Sequence, residues 1–431
     1  MGVLFSGGIS SLLLARILQQ ERADVTYYCI GTERSPDLQT AQTAAHALGL
    51  RLTTHTPTKE HIETALKTIP NLISDTNPAK VSAGLITYLG SELAARDANI
   101  VLMTGSGANE AFGGHQRNKN DPTGIMQDCH SNLLKHYETS AYRDDVLAMR
   151  HGLELRVPYL DTRVTRTALL HTPGNATRHQ DKHLLHIAAD LLGIPRTLHA
   201  VKQRAPHYGS GTDRVFETLA KNAGQTKAGY LRTQRKEPNT PLAVLLSTGK
   251  DSLYAAYTIQ QLNYELRCAV TLRSENPHSY MFHTPAIELA ALQAHSMGLA
   301  HVVRTSTGAK EDELQDLKEA LRIARDTHGC QGIVTGAIAS TYQRDRIEAI
   351  ADALGLKIYA PLWHIDQEEE LRGLLRAGFR VILTAIAADG TRPQLARQTA
   401  HGRRRHKPFD PEQAQRHQHL QAKAENTKAS S

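Results

Sequence analysis

Cysteine is scarce in this 431-residue chain, and long apolar runs are lacking. Its four cysteines lie far apart and form no C-x-x-C pair: Cys29, Cys129, Cys268 and Cys330. This spacing excludes a disulfide framework and a zinc ribbon, and we expect a reduced, cytoplasmic protein. No run approaches the roughly 18 apolar residues of a membrane span, so no membrane partner is expected. Met1 leads directly into an apolar strand pattern, from which we expect no signal peptide.

A broad positive surface is also lacking. The formal net charge is +7, but residues from 400 onward contain seven basic and three acidic side chains, which leaves about +3 for the body. A near-neutral body does not indicate a nucleic-acid-binding surface. We expect the Gln-, His- and Arg-rich segment 391–431 to be a largely disordered tail, and any RNA contact to be confined to it.

Strand and helix patterns alternate twice along the chain. The first series starts at residue 2 and gives way, over about 105–223, to a mainly helical pattern. Polar residues then replace the apolar periodicity at 224–240, and the alternation restarts at 242 and ends near Gly390. Such alternation predicts βαβ units around parallel sheets. We therefore predict an α/β chain with two tandem Rossmann-like domains, at 1–223 with a helical extension and at 241–390, joined by a linker at 224–240.

One polar turn organises the second domain. It reads Ser-Thr-Gly-Lys-Asp-Ser at 247–252, between an apolar strand pattern and an amphipathic helix pattern. Backbone N–H groups and the helix dipole at such a turn favour a phosphate. Gly249 permits a close backbone approach, Lys250 adds a positive charge, and Asp251 suits a Mg²⁺ ion beside the phosphates. The turn is not a Walker loop, because an acid follows its lysine. The alternative is an ordinary Ser/Gly turn.

Further motifs follow in a fixed order at 279–284 (Ser-Tyr-Met-Phe-His-Thr), 336–344 (Gly-Ala-Ile-Ala-Ser-Thr-Tyr-Gln-Arg) and 360–363 (Ala-Pro-Leu-Trp). With the turn, they make the second half resemble the diphthine–ammonia ligase family of PP-loop ATP pyrophosphatases. The resemblance implies that ATP adenylates the diphthine carboxylate of elongation factor 2, that pyrophosphate leaves, and that ammonia displaces AMP. The family's Gly- and Glu-rich segment after the last strand is replaced here by 387–390 and the tail.

The resemblance also implies a set of site residues. The residues implied to bind ATP are Ser247, Thr248, Gly249, Lys250, Asp251, Ser252 and Gly336. Of these, Lys250 and Asp251 are implied to be catalytic, and Asp251 is implied to hold Mg²⁺. The residues implied to bind the substrate are Tyr280, Tyr342, Gln343, Arg344, Arg346 and Glu348. Three further features have ordinary structural interpretations. The acidic run 368–370 is typical of a first helical turn, His278 and His283 favour surface or packing roles over metal binding, and Trp363 suits either the core or the substrate.

The first half opens in the same way, with strand, glycine turn and helix. Its motifs are Ser-Gly-Gly-Ile-Ser-Ser at 6–11, Ser-Pro-Asp-Leu at 35–38, Gly-Ser-Gly-Ala-Asn-Glu at 105–110 and His-Gly-Leu-Glu-Leu-Arg-Val-Pro-Tyr-Leu-Asp at 151–161. These resemble the synthetase domain of asparagine synthetases. Three acids of the family pattern are replaced, by Ser10, Ser106 and Asn109. We therefore expect a degenerate loop with weak Mg²⁺–ATP binding or none, formed by Ser6, Gly7, Gly8, Ser10 and Ser11.

Several functions stay open on these observations. The leading hypothesis is an ATP-dependent ligase that adenylates a carboxylate and transfers ammonia, acting on diphthine-bearing elongation factor 2. The alternatives are asparagine synthetase-like amidation of a small carboxylate and a PP-loop tRNA-modifying enzyme, although thiolating members carry paired cysteines. The first half is further hypothesised to be a non-catalytic docking module. Because no glutaminase domain precedes the first strand, we expect ammonia not to be made from glutamine within this chain.

Overall fold

The chain folds into two units, each with its own parallel sheet. The computed structural model describes residues 1–113, 122–175, 182–201, 205–275, 286–307, 310–336, 341–363, 365–382 and 399–400, with only the backbone given at some range edges such as 122–127 and 341–343. Unit 1 comprises Met1–Pro241 with Ile259–Glu265, and unit 2 comprises Leu242–Thr258 with Leu266–Ser431. Within the described ranges, no helix combines the length and apolar character needed to cross a membrane.

Unit 1 contains a five-stranded parallel sheet in the order β3-β2-β1-β4-β5. Its strands are β1 (Gly2–Leu4), β2 (Thr26–Ile30), β3 (Leu52–His55), β4 (Val101–Met103) and β5 (Glu154–Arg156). The helices between and after the strands are α1 (Ile9–Gln20), α2 (Pro36–Leu48), α3 (Lys59–Leu72), α4 (Pro78–Arg96), α5 (Ala108–Ala111), α6 (Pro122–His136), α7 (Tyr142–Met149), α8 (Thr162–Asn175), α9 (His183–Leu191), α10 (Arg196–His199), α11 (Pro206–Gly209), α12 (Thr212–Asn222) and α13 (Lys227–Arg232). A π-helical turn, Tyr137–Ala141, joins α6 to α7.

Unit 2 contains a second five-stranded sheet, in the order β10-β9-β6-β7-β8. Its strands are β6 (Pro241–Leu245), β7 (Glu265–Ser274), β8 (Ala300–Ser306), β9 (Gly332–Val334) and β10 (Lys357–Tyr359). Its helices are α14 (Lys250–Gln261), α15 (Ala290–Ser296), α16 (Lys310–His328), α17 (Thr341–Ala353) and α18 (Gln367–Arg376). A short antiparallel pair joins β11 (Val381–Ile382) to β12 (Thr399–Ala400).

The two sheets share one topology. In each, the first strand lies at the centre, flanked on one side by the second and third strands and on the other by the fourth and fifth. The strand order therefore reverses between the first and fourth strands, which are β1 and β4 in unit 1 and β6 and β9 in unit 2. Open α/β sheets bind ligands at this point, beyond the carboxyl ends of the strands. The predicted α/β class with two tandem parallel sheets is confirmed.

Apolar strands and helix faces build a separate core in each unit. In unit 1, Val3 and Leu12 are buried between the sheet and its helices. In unit 2, Ala243, Val270 and Ile333 from three neighbouring strands pack against α16. Because parallel strands are covered on both faces, they are apolar throughout rather than alternating. The rigid sheets hold the connecting loops at their carboxyl ends in fixed positions.

The structure differs from the sequence interpretation at three places. Strand β5 was not predicted within the helical stretch 105–223, because it is short and both Glu154 and Arg156 are exposed. The stretch 224–240, predicted as a linker, contains α13, which is capped by Thr226 and buries Tyr230 and Leu231 in the core of unit 1. Within the expected tail, β12 pairs with β11, and residues 401–431 lie outside the described residues.

Candidate functional site

The loops after the central strands have the same backbone architecture in both units. In unit 2, the Ser252 Oγ donates to the Gly249 carbonyl at 3.0 Å. In unit 1, the Ser11 Oγ donates to the Gly8 carbonyl at the same distance, 3.0 Å. Both serines lie in the first turn of the following helix, so each hydroxyl ties that turn to its loop. The predicted internal repeat therefore extends from the strand order down to individual hydrogen bonds.

A left-handed residue shapes each loop. In unit 1 this residue is Gly7, with φ +74°, and a Cβ there would lie 2.8 Å from the Thr40 carbonyl oxygen. In unit 2 the same place is occupied by Thr248, with φ +66°. A β-branched residue in this region costs roughly 1–2 kcal/mol. The Gln293 side chain donates to the Thr248 carbonyl at 3.3 Å and helps to hold the conformation.

Gly336 lies directly against the unit 2 loop. A Cβ at this position would come within 2.7 Å of the Ser252 backbone nitrogen and 2.8 Å of the Asp251 carbonyl carbon. Real Cβ atoms do not approach backbone this closely, so only glycine permits the observed packing. Gly105 occupies the matching position in unit 1, where a Cβ would lie 3.0 Å from the Ser10 Cβ. The strand-end glycine predicted from sequence to join the loop is therefore brought to it.

Lys250 and Asp251 form a partly buried ionic cluster with a third residue whose role was not predicted from the sequence. The Lys250 Nζ contacts the Asp251 Oδ1 and also donates to Glu370 Oε2 at 2.7 Å. Glu370 belongs to α18, and its side chain is 0% exposed. The predicted acidic first turn of α18 is confirmed for Glu368, Glu369 and Glu370. Glu370 has a second role that was not predicted, because its buried side chain accepts a hydrogen bond from the loop lysine.

The protonation of this cluster follows from its burial. Burial raises the pKa of Glu370 to about 7; the Asp251 carboxylate acts in the same direction, and Lys250 opposes both. For Lys250, burial disfavours the charge, but the two carboxylates outweigh it and raise its pKa. The ammonium therefore stays charged, while Glu370 changes protonation near neutral pH. Glu370 Oε1 accepts no hydrogen bond from any residue that the structure describes.

A second cluster follows β9 and β10 at the same sheet edge. The Arg344 guanidinium lies 4.7 Å from the centroid of the Trp363 ring and pairs with Asp345 at 3.0 Å. Its Nε is also 3.9 Å from Glu348 Oε1 on the next turn of α17. Two of the residues predicted to bind substrate are thus brought together with the only tryptophan. Arg346 is half-buried on the same helix, whereas Tyr280 and the side chains of Tyr342 and Gln343 lie outside the described residues.

The unit 1 loop contains different chemistry. At Ser10, where an acid was expected from the family pattern, the Lys182 Nζ donates to the hydroxyl at 3.4 Å and the Tyr159 hydroxyl donates to the backbone oxygen at 2.8 Å. A cation thus lies beside the position at which the family pattern has an acid. In both units, the described residues contain no group of three or more His, Cys, Asp or Glu side chains that could hold a metal ion by themselves.

Comparison with known proteins divides the chain at the same place as the fold. Residues 1–125 and 120–238 match the asparagine synthase family model, and residues 240–358 match the model of the diphthamide synthase N-terminal domain. The resemblances predicted from the motifs are therefore confirmed for both halves.

Named relatives match one half each. "Putative asparagine synthetase (glutamine-hydrolyzing) 1" of Methanocaldococcus jannaschii is 32% identical over 39% of this chain and 32% of its own length. The human diphthine–ammonia ligase is 31% identical over 35% of this chain and 64% of its own length. The Schizosaccharomyces pombe diphthine–ammonia ligase is 30% identical over 36% of this chain and 28% of its own. The chain thus spans less than two thirds of each of these relatives.

Proposed function

Because this chain belongs to the asparagine synthase family through residues 1–238 and matches the diphthamide synthase N-terminal domain over 240–358, we propose that it is an ATP-dependent amide-forming ligase. In this proposal unit 2 adenylates a carboxylate, releases pyrophosphate, and allows ammonia to displace AMP. Both halves are similar to enzymes named for amidation of a carboxylate, which supports the reaction class.

The observation that carries the proposal is the packing of the loop 247–252 against Gly336 at the reversal of strand order. This packing fixes the loop backbone before any ligand arrives. Backbone N–H groups and the α14 N-terminus then face one position beyond the sheet, as phosphate recognition requires. Thr248 adds a hydroxyl group, while the Ser247 hydroxyl donates to the Ser252 hydroxyl and both hold the loop in shape. Such preorganised donors are the main source of transition-state stabilisation when negative charge develops on a leaving group.

The ionic cluster supplies the charged groups of the mechanism. Lys250 keeps its positive charge because two carboxylates face it, so it is available to neutralise the departing pyrophosphate. Glu370 holds the lysine side chain from the rear, through a buried 2.7 Å hydrogen bond. Asp251 is 42% exposed, so it can turn toward a ligand. A Mg²⁺ ion would be held by Asp251 together with phosphate oxygens, since Mg²⁺ sites commonly use only one or two carboxylates, and it would neutralise phosphate charge.

For the substrate, we propose diphthine on elongation factor 2, with free ammonia as the nucleophile. The names of the relatives of unit 2 support this choice, and so does the cluster of Arg344, Glu348 and Trp363 at the same edge of the sheet. An arginine stacked on an aromatic ring presents a rigid donor fork suited to a carboxylate. Tyr280, Tyr342, Gln343 and Arg346 complete the proposed substrate site. We place the protein in the cytoplasm with its substrate.

Unit 1 has a different role in this proposal. The positive Lys182 side chain at Ser10 opposes metal binding there, so unit 1 does not adenylate. We propose instead that its retained scaffold docks the protein substrate. The family membership of residues 1–238 supports a second candidate function, asparagine synthetase-like amidation of a small carboxylate by unit 1. The two candidates differ in which loop consumes ATP.

Nucleotide products test the proposal. The full chain receives ATP, Mg²⁺, ammonium and diphthine-bearing elongation factor 2, and the products are separated by chromatography. We expect AMP and pyrophosphate, a loss of about 100-fold or more in Asp251→Ala, and little change in Ser10→Ala. AMP formation that survives Asp251→Ala but disappears in Ser10→Ala would assign the chemistry to unit 1 and refute the proposal. Formation of ADP in place of AMP would refute adenylation altogether.

A further inference from the structure

A serine, a histidine and a glutamate lie next to one another in unit 1. Ser106 follows β4, Glu110 belongs to α5, and His136 ends α6. The Ser106 Oγ lies 3.2 Å from His136 Nε2. On the other side of the ring, His136 Nδ1 lies 3.5 Å from Glu110 Oε1, which is within ion-pair range. The three residue types therefore stand in the order of a nucleophile, a general base and an orienting acid.

The charge of Glu110 favours one tautomer of His136. His136 Nδ1 has no hydrogen-bond partner among the described residues, but the negative charge of Glu110 at 3.5 Å favours a hydrogen on this nitrogen over a lone pair. The proton therefore belongs on Nδ1, and Nε2 is left to accept from the Ser106 hydroxyl. This is the tautomer that a serine nucleophile requires. The ring is only 2% exposed, so its orientation is fixed by packing as well as by charge.

Ser106 and His136 differ in solvent exposure in the way that catalysis requires. Ser106 is half-exposed, whereas His136 is buried. Ser106 also directly follows Gly105, which packs on Ser10 at the edge of the sheet where α/β folds bind ligands. A small substrate can therefore reach the hydroxyl from the side opposite the histidine. At 3.5 Å the His136–Glu110 contact is long, as contacts of this kind often are before a ligand binds.

We propose that Ser106, His136 and Glu110 form a nucleophilic serine site for a small carboxylic ester. The Ser106 Oγ attacks the carbonyl carbon while its proton passes to His136 Nε2. The bond to the alcohol then breaks, and the alcohol leaves with that proton. Water, deprotonated by His136, cleaves the acyl-serine, so that a carboxylic acid and the free serine result. This activity is independent of the ATP chemistry proposed for unit 2, and docking of a protein substrate by unit 1 is compatible with it.

The test is a covalent label with no ATP present. The full chain is incubated with a fluorophosphonate probe, and the modified peptide is identified by mass spectrometry. We expect the label on Ser106, no label in Ser106→Ala, and an unchanged rate in Ser296→Ala. Ser296 is the control, an exposed serine whose hydroxyl donates to the Gln293 carbonyl at 2.8 Å. Hydrolysis of p-nitrophenyl acetate should follow the same pattern. A chain that takes no label at residue 106 overturns the proposal.

Two further variants test the proposed roles of His136 as the base and Glu110 as the orienting acid. His136→Gln should slow labelling by about 100-fold, the ordinary contribution of a general base. Glu110→Gln should slow it by roughly tenfold or more, because the orienting charge is lost. Circular dichroism shows whether His136→Gln folds, and if it does not, the test rests on Glu110→Gln. If the folded variant is labelled at the wild-type rate, the proposed roles of His136 and Glu110 are refuted.

Discussion

The buried Glu370 carboxyl makes a prediction about stability that can be worked out from the structure. Glu370→Gln keeps the shape of the side chain and removes its titration. Burial raises the pKa of the wild-type carboxyl to about 7 from an ordinary 4.5. Between these values the folded chain binds a proton that the unfolded chain has released. The wild type is therefore stabilised at low pH and loses this contribution as the pH rises through 7.

The magnitude follows from the two pKa values. Linkage gives a loss of roughly 2 to 3 kcal/mol from this carboxyl between about pH 5 and pH 8. Glu370→Gln has no such loss, so its stability relative to the wild type should rise by that amount over the same interval. Other titrating groups, including the buried Asp37, whose pKa burial raises to about 7, are common to both chains and cancel in the difference.

Urea unfolding at pH 5 and pH 8, monitored by the fluorescence of the only tryptophan, Trp363, measures this difference in unit 2. Glu369→Gln, the same substitution at the neighbouring exposed position of α18, is the control and should alter stability equally at both pH values. If the Glu370→Gln difference is the same at pH 5 and pH 8, or shifts in the opposite direction, then the Glu370 carboxyl is not buried beside Lys250 as the structure has it.

Three other predictions concern the loop and its neighbours. Gly336→Ala should displace the loop, because the added Cβ would lie 2.7 Å from backbone, and should weaken ATP binding by about tenfold or more in isothermal titration. The control is Gly229→Ala, whose Cβ would meet no atom nearer than 3.4 Å and which should bind ATP normally. Thr248→Gly should raise the free energy of unfolding by up to about 1 kcal/mol in urea, because it removes a β-branched residue from positive φ, and Thr248→Val should give no such gain. Arg344→Lys should cost about 1 kcal/mol and shift Trp363 emission, since the planar stacked group is lost, and unchanged emission would contradict the contact.

The central strands of both sheets could be predicted from the sequence because buried parallel strands are apolar throughout. Val3 and Val244 lie in such strands, and the loops after them carry the glycine and serine residues that a tight turn needs. Strand β5 escaped because Glu154 and Arg156 are exposed at a sheet edge and show no apolar pattern. Similarly, the polar composition of 224–240 concealed α13, whose burial depends on only a few residues packed against unit 1.

Site residues were predicted where a sequence motif contains them. The loop 247–252 carries its chemistry in six successive residues, so a motif could be recognised. Glu370 is distant in sequence and lies in an acidic run, which resembles a solvated helix start. A signal was nevertheless present, because Glu370 precedes Gly373 and Leu374 by three and four positions, and these share the buried helix face. The Ser106–His136 contact spans 30 residues and has no comparable local pattern.

Amide formation on the protein substrate is the most direct measurement of the central proposal. The full chain is incubated with ATP, ¹⁵N-labelled ammonium and elongation factor 2 that bears diphthine, and the modified peptide is analysed by mass spectrometry. We predict the mass of one carboxylate converted into one ¹⁵N-amide, dependent on ATP and lost in Asp251→Ala. A peptide that keeps its diphthine mass while ATP is converted to AMP would contradict the proposed substrate, and a peptide amidated equally by Asp251→Ala would contradict the proposed site.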